Sequence, residues 1–159
     1  MVKLESIPQP AGRVQAYWGD RPKGEVRVKV TLTNVVDAAL ARNGQIEPGS
    51  VRSYEADALI DTGAVRTIIS NATVSALGVS LVGERIAEYA DGRKEAVPLT
   101  DAVRIKLLGR DTVDECLVLG DEVLIGQTVL EKTDLLVDCA QQRLVPNPAH
   151  PDQPVTKVK

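Results

Sequence analysis

The sequence predicts an all-β, barrel-like single domain with one short helix near its C-terminus. Three observations carry that prediction. From Glu25 to Thr33 the apolar residues Val26, Val28, Val30 and Leu32 alternate with Arg27, Lys29, Thr31 and Thr33, the period-two pattern of a half-buried strand. Further short apolar runs follow at close intervals, separated by turn residues, as in barrels and sandwiches built of many strands. At 159 residues the chain is large enough for one core of its own.

Taken in order, Met1 to Lys23 has scattered Pro and Gly and no sustained period. It reads as an arm, able to carry Tyr17-Trp18 onto the body. The domain proper is expected over residues 24–148. After the first strand, Val35 to Arg42 is long enough for two helical turns, and Asn43-Gly44 and Pro48-Gly49 mark turns. Val51 to Ile60 is a strand. Thr67 to Ser70 is a short apolar run. Asn71 then serves as an N-cap, Ala72 to Leu77 as a short helix and Gly78 as its stop. Ile86 to Tyr89 and Lys94 to Val97 flank Ala90-Asp91-Gly92-Arg93, where Asp-Gly signals a hairpin. Strands follow at Val103 to Leu107, Thr112 to Leu119, Val123 to Ile125, Leu135 to Cys139 and Leu144-Val145, with a helical turn or two over Thr128 to Lys132. Leu59, Ile60, Ile68, Leu124, Ile125, Leu135 and Val137 are the expected core. Residues 149–159 read as an extended, proline-rich tail.

Composition narrows the function. The net charge is −3, with no Lys/Arg run, and Phe is absent beside one Trp and three Tyr. Little is available to stack on bases, so no nucleic-acid partner is expected. No apolar stretch reaches membrane-spanning length and no signal-peptide core is visible, so a cytoplasmic location and no membrane partner are expected. Cys116 and Cys139 then read as two buried thiols rather than a disulfide. Neither belongs to a metal motif, and neither a metal nor another cofactor is expected. His150, the one histidine, reads as a solvated tail residue, which leaves no Ser-His or Cys-His catalytic pair.

The stretch with chemical content is Ala58-Leu59-Ile60-Asp61-Thr62-Gly63-Ala64. A carboxylate at the end of such an apolar run is costly to bury unless it is paired or shares its proton. An Asp-Ser/Thr-Gly triplet alone turns up in roughly one chain in ten of this length and can be a plain turn. The apolar lead-in and following Ala make chance far less common. Here the chain resembles the retropepsin-like aspartic proteases, and Leu124-Ile125-Gly126 followed by Gln127-Thr128-Val129-Leu130-Glu131 resembles that family's second signature.

The resemblance covers about Gly24 to Pro148 and implies a retropepsin-like acid protease barrel with one short helix after the second signature. It also implies a homodimer, because the chain holds a single Asp-Thr-Gly; Asp138-Cys139-Ala140 lacks the hydroxyl residue and the glycine. The family roles fall on Asp61 as the catalytic acid, Thr62 as a bond across the two-fold axis and Gly63 as the point of close backbone approach. Ala64, Val65, Arg66, Tyr89, Asp91, Gly92 and Gln127 would contact a peptide or protein substrate, with Asp91-Gly92 at a flap tip and Leu124-Ile125-Gly126 bracing the loop. Viral members place an acid where this chain has Val65 and an arginine where it has Gln127. Both partners are missing together, so no buried charge is stranded, but a substrate anchor is lost. The leading expectation is an aspartic endopeptidase. A peptide-binding or scaffold module with weak turnover, or a structural β-domain, are the alternatives.

Overall fold

The valine alternation builds an interior strand of a mixed sheet in the computed structural model, which describes residues 24–158. Strand β1 (Arg27–Asn34) buries Val30 and Leu32 completely and leaves Thr31 and Thr33 partly exposed. It pairs antiparallel with β2 (Ser53–Ile60) on one side and β6 (Val103–Leu107) on the other, and β6 continues to β7 (Arg110–Asp114). Beyond β2 lie β9 (Leu124–Ile125), β3 (Ile68–Ile69), β8 (Leu117–Val118), β5 (Lys94–Thr100) and β4 (Leu81–Glu88). The β2–β9 and β3–β8 pairs are parallel, the remainder antiparallel. The nine strands curl into a half-barrel with β4 and β7 at its open edges. A separate hairpin, β10 (Leu135–Asp138) with β11 (Arg143–Pro146), packs near the start of β1. The N-terminal arm with Tyr17-Trp18 lies outside the described residues.

Three helices accompany the sheet, where the expected fold class has one near the C-terminus: α1 (Val35–Arg42) and α2 (Asn71–Leu77), both at runs read above as helical, and α3 (Gln127–Thr133). The first is fixed by contacts distant in sequence. Asn34 Oδ1 accepts the Asp37 N–H at 2.9 Å while its Nδ2 donates to the Leu77 carbonyl at 2.8 Å. Asp37 in turn accepts from the Arg52 backbone N–H and guanidinium at 2.8 to 3.0 Å. The cap of α2 is Ser70, whose Oγ accepts the Thr73 N–H, and not Asn71, which is the first helical residue. Gly78 ends that helix at φ +64°, the left-handed conformation glycine tolerates best.

Of the expected core, Ile60, Ile125 and Leu135 are buried, whereas Leu59, Ile68, Leu124 and Val137 are half-buried. Successive strand residues face opposite sides. Ile60, Ile69 and Ile125 take the inner face, so their neighbours Leu59, Ile68 and Leu124 pair with one another on the other. Both cysteines are free. Cys116 is buried, which pushes its thiol up to about 12, but Cys139 is exposed at the β10–β11 turn rather than buried. His150 is not solvated: its Nδ1 lies 2.6 Å from Asp134 Oδ2 and its carbonyl accepts from buried Arg110 at 2.7 Å. Asp134, which ends α3, also accepts the Asn147 Nδ2 and Val155 N–H groups, so the segment after β11 is pinned to the body. Those contacts hold the Asp134 carboxyl below the usual range, the Asn147 bond most of all. Among the described residues no helix is long and apolar enough to cross a membrane.

Candidate active site

Strand β2 delivers Asp61 to the end of the parallel β2–β9 pair, where the Asp61 N–H donates to the Ile125 carbonyl at 3.0 Å. The chain then turns sharply. Asp61 Oδ1 accepts the Gly63 N–H at 2.9 Å, and the Asp61 carbonyl accepts from Ala64 N–H at 3.2 Å. A Cβ on residue 63 would stand 3.2 Å from Oδ1, so glycine lets the backbone approach the carboxylate without crowding it. Oδ2 has no hydrogen-bond partner among the described residues and Thr62 is exposed. Beside them is a concavity of about 360 Å³, walled by Gly24 and Val26, by Ile60, Asp61 and Thr62, and by Val137, Cys139 and Gln142 of the β10–β11 hairpin.

The loop is held from behind by α3. The first N–H groups of a helix have no partner within it. Here Gln127 N–H donates to the Ala64 carbonyl at 2.7 Å and Thr128 N–H to the Val65 carbonyl at 3.1 Å. Gly126, which caps the helix without a side chain, donates its N–H to buried Thr67 Oγ1 at 3.0 Å. The helix start and the Asp61 loop thus satisfy each other's backbone groups, as the bracing role given to Leu124-Ile125-Gly126 requires. The Gln127 side chain turns away to Glu131, 3.2 Å from Nε2, and does not line either concavity described here.

A second, larger cleft of about 470 Å³ opens between this loop and the β4–β5 hairpin. Gly63 to Arg66 form one side, Ile68, Leu117 and Leu119 the floor, and Arg85 to Tyr89 the other side. The hairpin turns through Ala90, Asp91 and Gly92. The Gly92 N–H donates to the Tyr89 carbonyl with Gly92 at φ +88°, and the Asp91 carboxylate accepts the Arg93 N–H. This three-residue loop ending in a left-handed glycine is a favoured way to close a hairpin. Asp91 and Gly92 form the tip and stand outside the cleft lining. Tyr89 does line it, but its hydroxyl donates to Glu95 at 2.6 Å, which pushes the phenol up, and its ring lies 4.2 Å beneath the Arg93 guanidinium.

Of the sequence-selected residues, Gly63, Ala64, Val65, Arg66 and Tyr89 therefore meet in this cleft, and Asp61 and Thr62 face the neighbouring concavity. Sequence reasoning missed Arg85, Ile86 and Glu88 on the hairpin, and Ile68, Leu117 and Leu119 on the floor. The alternation of Leu117 and Leu119 was a usable signal. Nothing local marked the hairpin residues as cleft-lining. Among the described residues no cluster of His, Cys, Asp or Glu is placed to hold a metal ion. A family model described as gag-polyprotein putative aspartyl protease matches residues 47–132, from before β2 to the end of α3. No curated protein matches the chain.

Proposed function

This chain belongs to the gag-polyprotein putative aspartyl protease family, and from that premise we propose that two copies form an aspartic endopeptidase, each supplying one Asp61. The observation that carries the proposal is a carboxylate held by one backbone N–H at one oxygen and without a partner at the other among the described residues, on a loop braced by α3 beside a cleft of about 470 Å³. The chain has one Asp-Thr-Gly, so the second carboxyl comes from a second copy across a two-fold axis. Exposed Thr62 then bonds across that axis, and the β4–β5 hairpin serves as the flap that excludes water.

Two carboxyls at close range cannot both ionise and share one proton. The ionised one takes a proton from a water lying between them. The water oxygen bonds to the scissile carbonyl carbon while the protonated carboxyl gives its proton to the carbonyl oxygen. Collapse of the tetrahedral intermediate breaks the C–N bond, with a proton delivered to the leaving amine, and the pair returns to its starting state. The titration belongs to the pair, so the pH–rate profile is bell-shaped and lies on the acidic side.

One observation favours a second reading, a peptide-binding module with weak turnover: Val65, 71% exposed, and Gln127, turned to Glu131, provide no charged anchor for substrate backbone. A single experiment separates the two. Purified protein is incubated with a diverse peptide pool across pH beside Asp61→Asn. The endopeptidase cuts, and the variant loses at least ~100-fold, the low end for general acid–base catalysis. Full activity in Asp61→Asn would place the chemistry elsewhere, and binding without cleavage at any pH would favour the module.

A further inference from the structure

We propose that the cleft under the β4–β5 hairpin selects peptides in which an acidic side chain lies two residues from an aliphatic one, and that Arg66 and Arg85 read the carboxylate. The inference rests on the peptide-cleaving site proposed above and names its substrate class. The floor is aliphatic, with Ile68, Leu117 and Leu119, and the rim adds Val65 and Ile86, which are 71% and 65% exposed. Side chains that leave such residues open to water gain by covering them with an apolar group.

The charged groups on the lining are Arg66, Arg85 and Glu88. Arg85 donates only to the Glu84 carbonyl at 2.8 Å and has no carboxylate partner among the described residues. Arg66 is paired with Glu115 at 3.7 Å, with the two side chains 36% and 48% exposed. An exposed pair of this kind contributes little, so a substrate carboxylate can take the place of Glu115. Glu88 lines the same cleft, so its wall carries two guanidinium groups against one carboxylate and keeps a positive balance. Of the other ionisable groups on the hairpin, Glu95 is engaged by Tyr89, and Arg93 by the Tyr89 ring and Asp91, while Glu84 and Lys94 stand outside the cleft lining. In an extended peptide, residues two apart point the same way roughly 7 Å from each other. One side chain then settles on the floor while the other reaches a guanidinium at the rim.

The test uses a fluorogenic peptide panel built around one Leu or Val, with Glu, Gln or Lys two residues to either side. Cleavage by the wild-type protein is compared with binding to Asp61→Asn followed by fluorescence anisotropy. The Glu peptides are expected to exceed the Gln peptides by about tenfold in kcat/KM and in affinity, the weight of one charge-assisted hydrogen bond. That ratio should fall toward one in Arg66→Gln/Arg85→Gln, invert in favour of Lys in Arg66→Glu/Arg85→Glu, and rise in Glu115→Gln. Arg104→Gln, which removes a charge paired with Asp111 away from the cleft, should leave the ratio unchanged. Equal cleavage of Glu and Gln peptides would overturn the selectivity and leave the endopeptidase standing. Glu-selective binding without cleavage would keep the selectivity and move it to a binding module. If no peptide were bound or cut, both would fall.

Discussion

Gly126→Ala isolates the contact between α3 and the Asp61 loop. Residue 126 has φ −91° and ψ 174°, an extended conformation open to any residue, so alanine brings no backbone strain there. Space is the difficulty. A Cβ would stand 2.6 Å from the carbonyl carbon and oxygen of Arg66 and 2.8 Å from the Val65 oxygen. Restoring ordinary contact requires the loop to retreat by roughly 0.8 Å or more. That movement stretches the Gln127–Ala64 and Thr128–Val65 bonds, now 2.7 and 3.1 Å. Overpacking by one methyl costs about 1–3 kcal/mol and a weakened buried hydrogen bond about 1 kcal/mol, so the expected loss is about 2–4 kcal/mol. Asp61 lies three residues before Ala64 and moves with the loop; a displacement near 1 Å in a reacting group costs about 100-fold in rate. Urea unfolding and kcat/KM on a cleaved peptide measure the two effects. Gly49→Ala, where a Cβ meets nothing within 4 Å, is the control. Wild-type stability and rate in Gly126→Ala would refute the bracing, and lost stability with full rate would confine it to folding.

Arg52 holds the Asp37 carboxyl down to about 2, through its side-chain and backbone hydrogen bonds. The folded value lies below the unfolded one of about 3.9, so the pair's stabilisation is complete above the unfolded value and is lost as pH falls toward 2. Asp37→Asn should therefore lower the urea midpoint by a constant amount between pH 5 and 7, with the gap closing below about pH 4. The outer hairpin strand is exposed from Leu81 to Ile86, so amides of residues 86–97 should exchange with deuterium well before those of Leu59 and Ile60. Equal protection would argue against a flap. Sedimentation should show a concentration-dependent dimer, and a strictly monomeric species at high concentration with peptide present would remove the second Asp61 from the site.

By itself the sequence determined what depends on near neighbours. Valine alternation specified β1, Asp91-Gly92 specified the hairpin tip, Gly78 specified the end of α2, and Asp61-Thr62-Gly63 with Leu124-Ile125-Gly126 pointed to the family. Each of these is set by side-chain period, a left-handed glycine or a short motif, all of which act within a few residues. Tertiary structure decided what depends on distant partners. Helix α1 was equivocal until Asn34 reached Leu77 and Asp37 reached Arg52. His150 was read as solvated because Asp134 and Arg110, which hold it, lie far away in the chain. Leu59, Ile68 and Leu124 were placed in the core because apolar character alone does not say which sheet face a residue takes. The charge of the cleft was the least legible. Arg66 and Arg85 come from different elements, and only the fold brings the Asp61 loop and β4 to facing sides of one cleft.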